Sequence, residues 1–315
     1  MLTDLFGSFV NRMQANRPIA LTSRTSIGMA AHGNSSTTHK ALEALFASAT
    51  GDFELILVDD FSPDDTLEIY REARKWHRNT RIFRFSRNLE YCQSVNALLC
   101  HGQGDHLIFL SNDIFVRPAY LGHLLKNAAL DTPFGIFRGC SNYVDGDLPL
   151  NNVAIENFAT REQYFGFSAD LAYRHRNSAP VEQRFLVGDA FLVSRAVIEK
   201  IGTFDTRFFG YYCDQDFGLR AQIAGFRIAL IQSAFALHHK HANIEYLSLE
   251  EQQKKLGHRH ARVDEALGVF LQKWNTPMHD VSVHDIPWER LAQQPFDPAR
   301  HYAAPKDYSG YLLEV

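Results

Sequence analysis

The sequence predicts an α/β protein built on a doubly wound, mostly parallel sheet that is flanked by helices. Four short apolar runs have the length of strands, and several are apolar on both faces, which is typical of covered parallel strands. The runs lie at about 27–31, 53–58, 81–85 and 106–110, and amphipathic segments lie between them at roughly 36–48, 64–77 and 91–101. This alternation indicates parallel strands joined by helical crossovers.

The junction after the second predicted strand indicates where a ligand would bind. In "DDFSPDDTLEIYREARKW", Ser62 is suited to cap a helix and Pro63 to occupy its first position. Asp59 and Asp60 then lie at the carboxyl end of the preceding strand. In open α/β sheets, ligands bind at that edge.

The second half of the chain has a less regular pattern. The stretch 118–180 is rich in Asn, Gly, Pro and Asp, so we expect long loops there. Regular structure returns with a strand and a helix that ends near Gly202, followed by a helix closed by Gly225 and the strand "RIALI". Apolar residues at near-helical spacing predict a further helix over 246–274, and the rest of the C-terminus has no clear pattern.

Composition argues against several classes of protein. The 315-residue chain has a formal net charge of -4 and a pI of about 6.4, which provides no basic field for nucleic acid. The four cysteines form no CxxC pair, which argues against a disulfide framework or a thiolate zinc site and favours a reducing cytoplasm. The N-terminus lacks a signal-peptide pattern, and no run approaches the roughly 20 apolar residues that cross a bilayer.

Acidic and imidazole side chains lie where loops leave the predicted elements. They are Asp59 and Asp60, Asp113, Asp214 and Asp216, and His238 and His239. Oxygen and imidazole ligands suit Mg2+ or Mn2+, which offset the charge of a nucleotide diphosphate. Each group also has an ordinary structural interpretation: Asp113 can be a turn residue and Asp214 a helix N-cap. Asp216 and Arg220 are spaced for an i,i+4 ion pair, and the histidines can end a solvated strand.

The order of these groups resembles that of the inverting nucleotide-sugar glycosyltransferases of family 2, which have the GT-A fold. "ELILVDDFSPDDT" is similar to the family's VDD-x-S-x-D-x-T, "NLEYCQSVNAL" to its N-x-G-x-x-x-x-x-N segment, and "FLSNDIFV" to its metal-binding D-x-D or N-x-D. "IGTFDTRFFGYYCDQDFGLRAQIAGFRI" is similar to its G-G-F-D, E-D-x-D-x-x-L-R and A-G pattern, and a histidine and "FLQKW" follow. The resemblance covers roughly residues 26–275 and is greatest to rhamnosyl- and galactofuranosyltransferase-like members.

The resemblance implies a division of the chain into three parts. These are an N-terminal extension over 1–25, a GT-A catalytic domain over 26–245, and a C-terminal helical extension on the acceptor side over 246–315. Within the catalytic domain it implies a nucleotide-sugar half over 26–118 and an acceptor and catalytic half over 119–245.

The resemblance also implies residues for the donor and the metal. Asp60, with Asp59 beside it, corresponds to the residue that holds the pyrimidine base of the donor. Asp113 corresponds to the metal ligand of the D-x-D motif, and His238 to a histidine of the metal or diphosphate site. Further donor-binding candidates are Ala31, His32, Asn34, Asn88 and Asn112.

Three aspartates are candidates for catalysis, and the resemblance places the general base at Asp214. A helix N-terminus lowers the basicity of a carboxylate, whereas a nearby anionic donor raises its pKa. Asp216 is the alternative base. Asp189, in "LVGDAF", resembles the family's acceptor-side segment, although an aspartate after glycine is equally typical of a turn.

The chain departs from the family pattern at several positions. The first strand ends in Ala31-His32-Gly33-Asn34 rather than P-T-Y-N, so the usual aromatic contact to the nucleoside is missing. Ser111 occupies the first D-x-D position, so Asp113 needs a second ligand, and we expect His238 to provide it. The other departures are Leu89-Glu90, where the family has a glycine after Asn88, and Cys213 in place of glutamate.

We therefore expect an inverting glycosyltransferase that uses Mn2+ or Mg2+ and moves a sugar from a UDP- or dTDP-sugar to a hydroxyl of a glycan or lipid-linked glycan. A catalytically weak or inactive GT-A module that binds glycans is the alternative. A nucleotidyltransferase is disfavoured because "AAHGNSSTTHK" is not a glycine-rich, basic phosphate loop. We expect a cytoplasmic protein without a nucleic-acid partner, with peripheral association with the inner face of the membrane as an option. The sequence does not predict an oligomeric state.

Overall fold

A ten-stranded sheet organises the chain in its computed structural model, which describes residues 17–142, 161–239, 249–276, 281–304 and 312–315. In spatial order its strands are β12 (Leu312–Glu314), β5 (Thr80–Phe85), β4 (Glu54–Asp59), β2 (Thr25–Ala31), β6 (His106–Ser111), β10 (Ala190–Ser194), β8 (Phe134–Ser141), β11 (Arg227–His238) and β7 (Ile114–Phe115), and β9 (Val181–Gln183) pairs with β11. Strands β5, β4, β2 and β6 are mutually parallel, as expected for a doubly wound sheet. The fold class predicted from the sequence is confirmed in this part of the sheet.

The first half of the chain builds the parallel strands and their crossover helices. In chain order the elements are β1 (Ile19–Leu21), β2 (Thr25–Ala31), α1 (Ser35–Ser48), β3 (Ala49–Gly51), β4 (Glu54–Asp59), α2 (Thr66–Trp76), β5 (Thr80–Phe85), α3 (Glu90–His101) and β6 (His106–Ser111). Strands β1 and β3 form a separate two-stranded sheet. The four predicted strands and three predicted helices of this half are confirmed within about two residues at each boundary.

The second half adds strands on the other side of β6 and a long C-terminal helix. Its elements are β7 (Ile114–Phe115), α4 (Pro118–Ala128), β8 (Phe134–Ser141), α5 (Arg161–Arg174), β9 (Val181–Gln183), β10 (Ala190–Ser194), α6 (Arg195–Ile201), α7 (Cys213–Ile223), β11 (Arg227–His238), α8 (Leu249–Lys273), a 3-10 turn (Val283–Asp285), α9 (Trp288–Leu291), α10 (Pro298–His301) and β12 (Leu312–Glu314). Strand β10 is antiparallel to β6 and β8, and β11 is parallel to β8.

The prediction of long loops over 118–180 is wrong for much of this stretch, because it contains α4, β8 and α5. Strand β8 has the sequence "FGIFRGCS", in which two glycines and an arginine interrupt the apolar pattern that identifies a strand. The residues 143–160, which include most of the predicted loop "SNYVDGDLPLNN", lie outside the described residues.

Successive side chains of the central strands pack alternately into two apolar layers. In β4, Ile56 and Val58 belong to the layer that contains residues of α3, α7 and α8, whereas Leu55 and Leu57 belong to the layer with α1, α2 and α4. All six residues of β4 are buried. The period of two therefore gives each face of the sheet its own core, as expected for parallel strands covered on both sides. Among the described residues, no helix has the length and apolar character needed to span a membrane.

The loop after β4 differs from the predicted helix start. Helix α2 begins at Thr66 with Asp65 at the N-cap position, so the prediction that Ser62 caps it is wrong. The Ser62 hydroxyl instead accepts a hydrogen bond from the Gly33 backbone N–H at 2.8 Å. Ser62 therefore ties the loop after β4 to the loop after β2, which lies beside it because the two strands are paired.

A buried cluster of charges anchors the C-terminal end of α8. Lys273 Nζ lies 2.7 Å from Asp205 Oδ2 and 2.5 Å from Asp216 Oδ1, and all three side chains are 2% exposed or less. Arg220 donates to Asp216 at 2.9 Å, which confirms the predicted i,i+4 pair. Burial raises the pKa of Asp205, but hydrogen bonds from Arg207 and the charge of Lys273 outweigh it and lower the pKa to about 2. The helix is thereby fixed to the core, while the domain boundaries at 26 and 245 stay predictions.

We predict that Lys273→Ala lowers the free energy of unfolding by about 3–5 kcal/mol, because it removes the buried cation that Asp205 and Asp216 share. Chemical denaturation at neutral pH measures the change. Lys75→Ala is the matched control, since Lys75 pairs with Glu72 on the surface and its side chain is 67% exposed. The control is expected to change stability by no more than about 0.5 kcal/mol, and equal effects of the two substitutions would contradict the account.

Candidate active site at the carboxyl ends of the strands

Asp59 and Asp60 are buried at the carboxyl end of β4 and fasten two loops to it. Asp59 accepts from the Ser62 backbone N–H at 2.9 Å and is ion-paired with Arg84. The carboxylate oxygens of Asp60 accept from the backbone N–H groups of Leu89 and Glu90 at 2.7 and 2.8 Å. Burial, partly offset by these hydrogen bonds, raises the pKa of Asp60. Both aspartates thus shape the edge where the sequence predicts the donor.

The predicted donor residues after β2 lie next to Asp60. The Ala31 carbonyl accepts from the Asp60 backbone N–H at 2.8 Å, and His32 Nδ1 lies 2.7 Å from the Asp60 carbonyl oxygen. Asn34 precedes α1 with a left-handed backbone, φ 66°. His32 is exposed and available to a ligand, whereas Ala31 offers its backbone only.

Asn88 and Asn112 hold the neighbouring loops in place. Asn88 Oδ1 accepts from the Glu90 backbone N–H at 2.9 Å. Glu90 has φ 68°, a conformation that favours glycine, and this explains why the family pattern has a glycine there. Asn112 Nδ2 donates to Thr38 Oγ1 at 2.9 Å and to the Gly33 carbonyl at 3.3 Å.

Strand pairing brings Asp113 and His238 together from distant parts of the sequence. Strand β7 is antiparallel to the end of β11, with Ile114 opposite His238 and Phe115 opposite Leu237. His238 Nε2 consequently lies 3.4 Å from Asp113 Oδ2. The Asp113 side chain is 25% exposed and that of His238 is 17% exposed, so both can be reached from solvent.

Asp189 lies on the other side of the same imidazole. Its Oδ2 is 3.6 Å from His238 Nδ1, and its Oδ1 accepts from Arg138 at 2.8 Å. Asp189 directly precedes β10, and its carbonyl accepts from the Ser111 backbone N–H at 2.9 Å. Asp189 Oδ2 is buried and has no hydrogen-bond partner among the described residues. A carboxylate, an imidazole and a second carboxylate therefore follow one another across the strand ends.

Two residues of this arrangement were not predicted from the sequence. Arg138, on β8, is 1% exposed and holds Asp189 from below. Asn142 follows the same strand, accepts from the His238 backbone N–H at 2.6 Å and donates to the His238 carbonyl at 3.0 Å. Only the pairing of β8 with β11 makes Asn142 a neighbour of His238, so no local signal in the sequence identifies it.

Asp214 lies in the first turn of α7 and faces the same region. Tyr212 is the N-cap residue, so Asp214 is not the N-cap that its position suggested. Asp214 Oδ2 instead accepts from the Gly188 backbone N–H at 2.7 Å. Burial, with a smaller contribution from the charge of Asp189, raises the pKa of Asp214 to about 6. A carboxylate with this pKa is ionised at neutral pH and is basic enough to take a proton.

Asp216 lies away from this region, although it is only two residues further on. Its carboxylate is completely buried and is bound by Arg220, Lys273 and the indole N–H of Trp274. Removing either cation would leave this buried carboxylate with one ion pair instead of two. The arrangement is at odds with Asp216 as a catalytic base and indicates that this residue stabilises the fold.

An open cavity of about 620 Å3 adjoins three of the candidate residues. Asp189, Asp214 and His238 line its inner wall, and Asp113, which does not line it, contacts His238 at 3.4 Å. The outer wall is formed by side chains of the loop before α7, of α8 and of the 3-10 turn. These include Tyr211, Tyr212, Arg259, His260, Asp264, Leu267 and Val283. The cavity is large enough for a sugar unit, and its lining combines charged and imidazole side chains with tyrosine rings.

Comparison with known proteins assigns the chain to a family. The family model for glycosyl transferase family 2 matches residues 26–202, which is more than half of the chain. The chain belongs to glycosyl transferase family 2. The resemblance noted in the sequence is thereby confirmed, and the matched part runs from β2 to the residue after α6.

Curated relatives of this family 2 protein match a limited part of it. Two N-acetylglucosaminyl-diphospho-decaprenol L-rhamnosyltransferases from Mycobacterium tuberculosis, of strains CDC 1551 and H37Rv, are each 39% identical to it over 71 residues. The match covers 22% of this chain and 23% of each relative.

Solved structures support the GT-A fold. GalNAc-T7, solved with UDP, GalNAc and Mn2+, is similar with a TM-score of 0.53 at 15% identity, over 68% of this chain and 42% of that one. TarS 1-349 from S. aureus is similar with a TM-score of 0.50 at 15% identity, over 85% of this chain and 78% of that one, and it has also been solved with UDP-GlcNAc. At 15% identity, the similarity to these two structures concerns the fold alone.

Two side chains of the family 2 site are suitable ligands for a divalent cation. Within the described ranges, no three His, Cys, Asp or Glu side chains are grouped so that they could hold a metal ion. Asp113 and His238 form a pair 3.4 Å apart, and Asp189 Oδ2, which has no hydrogen bond among the described residues, lies 3.6 Å from the other ring nitrogen. Mg2+ and Mn2+ accept such oxygen and nitrogen ligands and fill further positions with water and phosphate oxygens. Two protein ligands therefore fit a metal that is shared with a diphosphate.

We predict that Asp214→Asn stabilises the folded protein at pH 7.5, because it removes a carboxylate whose ionisation opposes folding. The pKa of about 6 lies above the ordinary value of 3.8, so the folded state holds this proton more tightly than the unfolded chain. Above pH 6 the ionised group costs up to roughly 3 kcal/mol, and at pH 5 about half of that. Denaturant unfolding at both pH values measures the gain, and a loss of stability at pH 7.5 would contradict a raised pKa.

Proposed function

We propose that the protein is an inverting, metal-assisted glycosyltransferase that transfers a sugar from a UDP- or dTDP-sugar to a hydroxyl of a glycan or glycolipid. The observation that carries the proposal is that Asp214, with its pKa of about 6, faces the same cavity as His238 and Asp189, beside Asp113. A proton acceptor and a candidate diphosphate site are thus adjacent at the ligand-binding edge of the sheet.

The donor is proposed to lie across the ends of β4, β2 and β6. Asp60 and the loop of His32 and Asn34 would hold the nucleoside, and Asn112 and Asp113 would lie near the diphosphate. A pyrimidine nucleotide is supported by the resemblance at Asp60 and by the UDP ligands in the structures of GalNAc-T7 and TarS.

Asp214 is proposed to act as the general base. The acceptor oxygen attacks C1 of the donor sugar from the side opposite the diphosphate, and Asp214 takes the hydroxyl proton as the new C1–O bond forms. The bond between C1 and the diphosphate oxygen breaks, and its electron pair leaves with the nucleotide. General-base catalysis of this kind contributes roughly 10²–10⁴-fold, and a pKa near the working pH is most effective.

Asp113 and His238 are proposed to hold Mn2+ or Mg2+. When bound, the cation offsets the charge that develops on the leaving diphosphate. Asp189 and Arg138 have a positioning role in this scheme. Arg138 fixes Asp189, and the Asp189 carboxylate, 3.6 Å from Nδ1, favours the orientation of His238 in which Nε2 faces Asp113. A carboxylate behind a metal-binding histidine fixes its orientation and raises its basicity.

The acceptor is proposed to enter along the outer wall of the cavity. Tyr211, Tyr212 and the side chains of α8 offer aromatic and polar groups of the kind that bind sugars. The M. tuberculosis relatives act on a lipid-linked glycan according to their names, which supports a lipid-linked acceptor here. Such an acceptor implies peripheral association with the cytoplasmic face of a membrane.

A second candidate is a GT-A module that binds glycans without turnover. Ser111 favours it, because this residue replaces the first carboxylate of the D-x-D motif. The two candidates differ in whether nucleotide is released from a donor sugar, which the following experiments measure.

We predict that Asp214→Asn lowers the rate of transfer, or of donor hydrolysis, by at least about 10²-fold and leaves donor affinity nearly unchanged. In the wild-type enzyme, kcat/KM is expected to fall tenfold per pH unit below about pH 6, because the base becomes protonated. Release of UDP or dTDP from a panel of nucleotide sugars with Mn2+ measures both. Asp131→Asn, on an exposed loop, is the control.

Near wild-type turnover in Asp214→Asn would move the base to another residue. The glycan-binding module would be favoured if the wild-type protein binds sugar acceptors but releases no nucleotide from any UDP- or dTDP-sugar.

We predict that Asp113→Ala weakens binding of Mn2+ in the presence of UDP by about tenfold or more, because one of the two proposed protein ligands is lost. Isothermal titration calorimetry with Mn2+ and the spectroscopic signal of free Mn2+ measure this without requiring turnover. Asp131→Ala is the matched control. Unchanged Mn2+ binding in Asp113→Ala would show that the metal, if it binds, lies elsewhere.

A further inference from the structure

Phe61 is a large aromatic residue exposed at the ligand-binding edge of the sheet. It lies between Asp60 and Ser62, directly beyond the carboxyl end of β4. Its side chain is 47% exposed, whereas Asp59, Asp60 and Ser62 around it are buried. The other large apolar side chains that are exposed in the described part of the chain do not follow a parallel strand at this edge. They are Trp76, Leu130, Tyr173, Phe209 and Leu313.

The backbone of Phe61 has a conformation that a phenylalanine adopts rarely. Its φ of 58° lies in the left-handed region, which favours glycine and is unfavourable for a bulky residue. Hydrogen bonds on both sides hold it there. The Asp60 N–H donates to the Ala31 carbonyl at 2.8 Å, and the Ser62 N–H donates to Asp59 at 2.9 Å. Strain of this kind persists where the surroundings impose it and is concentrated at ligand sites.

The phenyl ring is also held by a fixed cation. The guanidinium carbon of Arg84 lies 5.5 Å from the ring centroid, within the range of a cation–π contact. Arg84 is itself ion-paired with the buried carboxylate of Asp59, so its position is set by the core. The backbone conformation and the contact with Arg84 thus fix the position of the ring, and nearly half of its surface is exposed to solvent.

We propose that Phe61 binds the pyrimidine ring of the donor nucleotide by stacking against its face. This inference rests on the proposed function, in which Asp60 lies next to the nucleoside. The exposed ring beyond the carboxyl end of β4 offers a face for stacking. The exposed His32, whose Nδ1 lies 2.7 Å from the Asp60 carbonyl oxygen, lies on the neighbouring loop. Stacking of a base on an aromatic side chain is sequence-tolerant, so Phe61 would raise affinity for both UDP and dTDP.

The left-handed backbone provides a sharp test, because binding and stability should respond in opposite directions. In Phe61→Gly the strain is relieved, so we expect the melting temperature to rise or stay equal, while UDP affinity falls roughly tenfold. Phe61→Asn, which also tolerates a left-handed backbone, is expected to lose the same affinity. Phe61→Tyr keeps the ring and should bind UDP within about twofold of wild type.

Calorimetric titration with UDP, dTDP and inorganic pyrophosphate, each with Mn2+, measures the effect on the base separately from that on the diphosphate. Pyrophosphate affinity should be unchanged in all three variants, since it has no base to stack. Trp76→Ala is the control for loss of an exposed aromatic residue, because Trp76 is 63% exposed at the end of α2.

Three results would overturn the inference. Equal UDP affinity in wild type, Phe61→Gly and Phe61→Asn would remove the stacking role and leave the proposed function intact. A parallel loss of UDP and pyrophosphate affinity would show that Phe61 supports the loop rather than the base. If the wild-type protein binds neither UDP nor dTDP, the proposed function fails together with the inference.

Discussion

The antiparallel pairing of β7 with the end of β11 is the contact on which the candidate site depends. It places Ile114 opposite His238 and thereby brings the His238 imidazole to the carboxylate of Asp113. The side chain of Asn142 bonds both backbone groups of His238 and continues the pairing where β8 ends. A shift of one residue in this register would turn His238 to the opposite face of the sheet. The site is therefore specified by the strand register as much as by the identity of its residues.

Burial of charge gives the site its chemical character and has a cost in stability. Arg138 and Asp189 compensate each other below His238, so this pair is stable only while both members are present. Asp214 is buried without a cation in ion-pair contact among the described residues, and its pKa rises accordingly. The buried Lys273 cluster at the end of α8 has the opposite effect, since it fastens the helix that forms the outer wall of the cavity. Stabilising charges thus lie behind the cavity wall and the destabilising one lies on the cavity surface.

Periodicity in the sequence was sufficient to predict the parallel half of the fold. The strands and helices up to Ser111 follow from apolar runs whose length and alternation have direct physical causes. The order of the motifs also predicted that Asp113, Asp214 and His238 lie at one edge of the sheet. Strand β8 was not predicted, because an arginine within a strand usually indicates a surface position. Arg138 is buried because it pairs with the carboxylate of Asp189, which is distant in sequence. Asn142 and the role of Ser62 depend on contacts between strands distant in sequence, which local patterns do not contain.

The central claim is that Asp113 and His238 jointly hold the cation that binds the donor diphosphate. The most direct measurement is an anomalous difference map, recorded at the manganese absorption edge, from crystals grown with UDP and Mn2+. The account predicts one strong peak within bonding distance of the Asp113 carboxylate and His238 Nε2, next to the diphosphate. A manganese peak bound to UDP but distant from either side chain would contradict it.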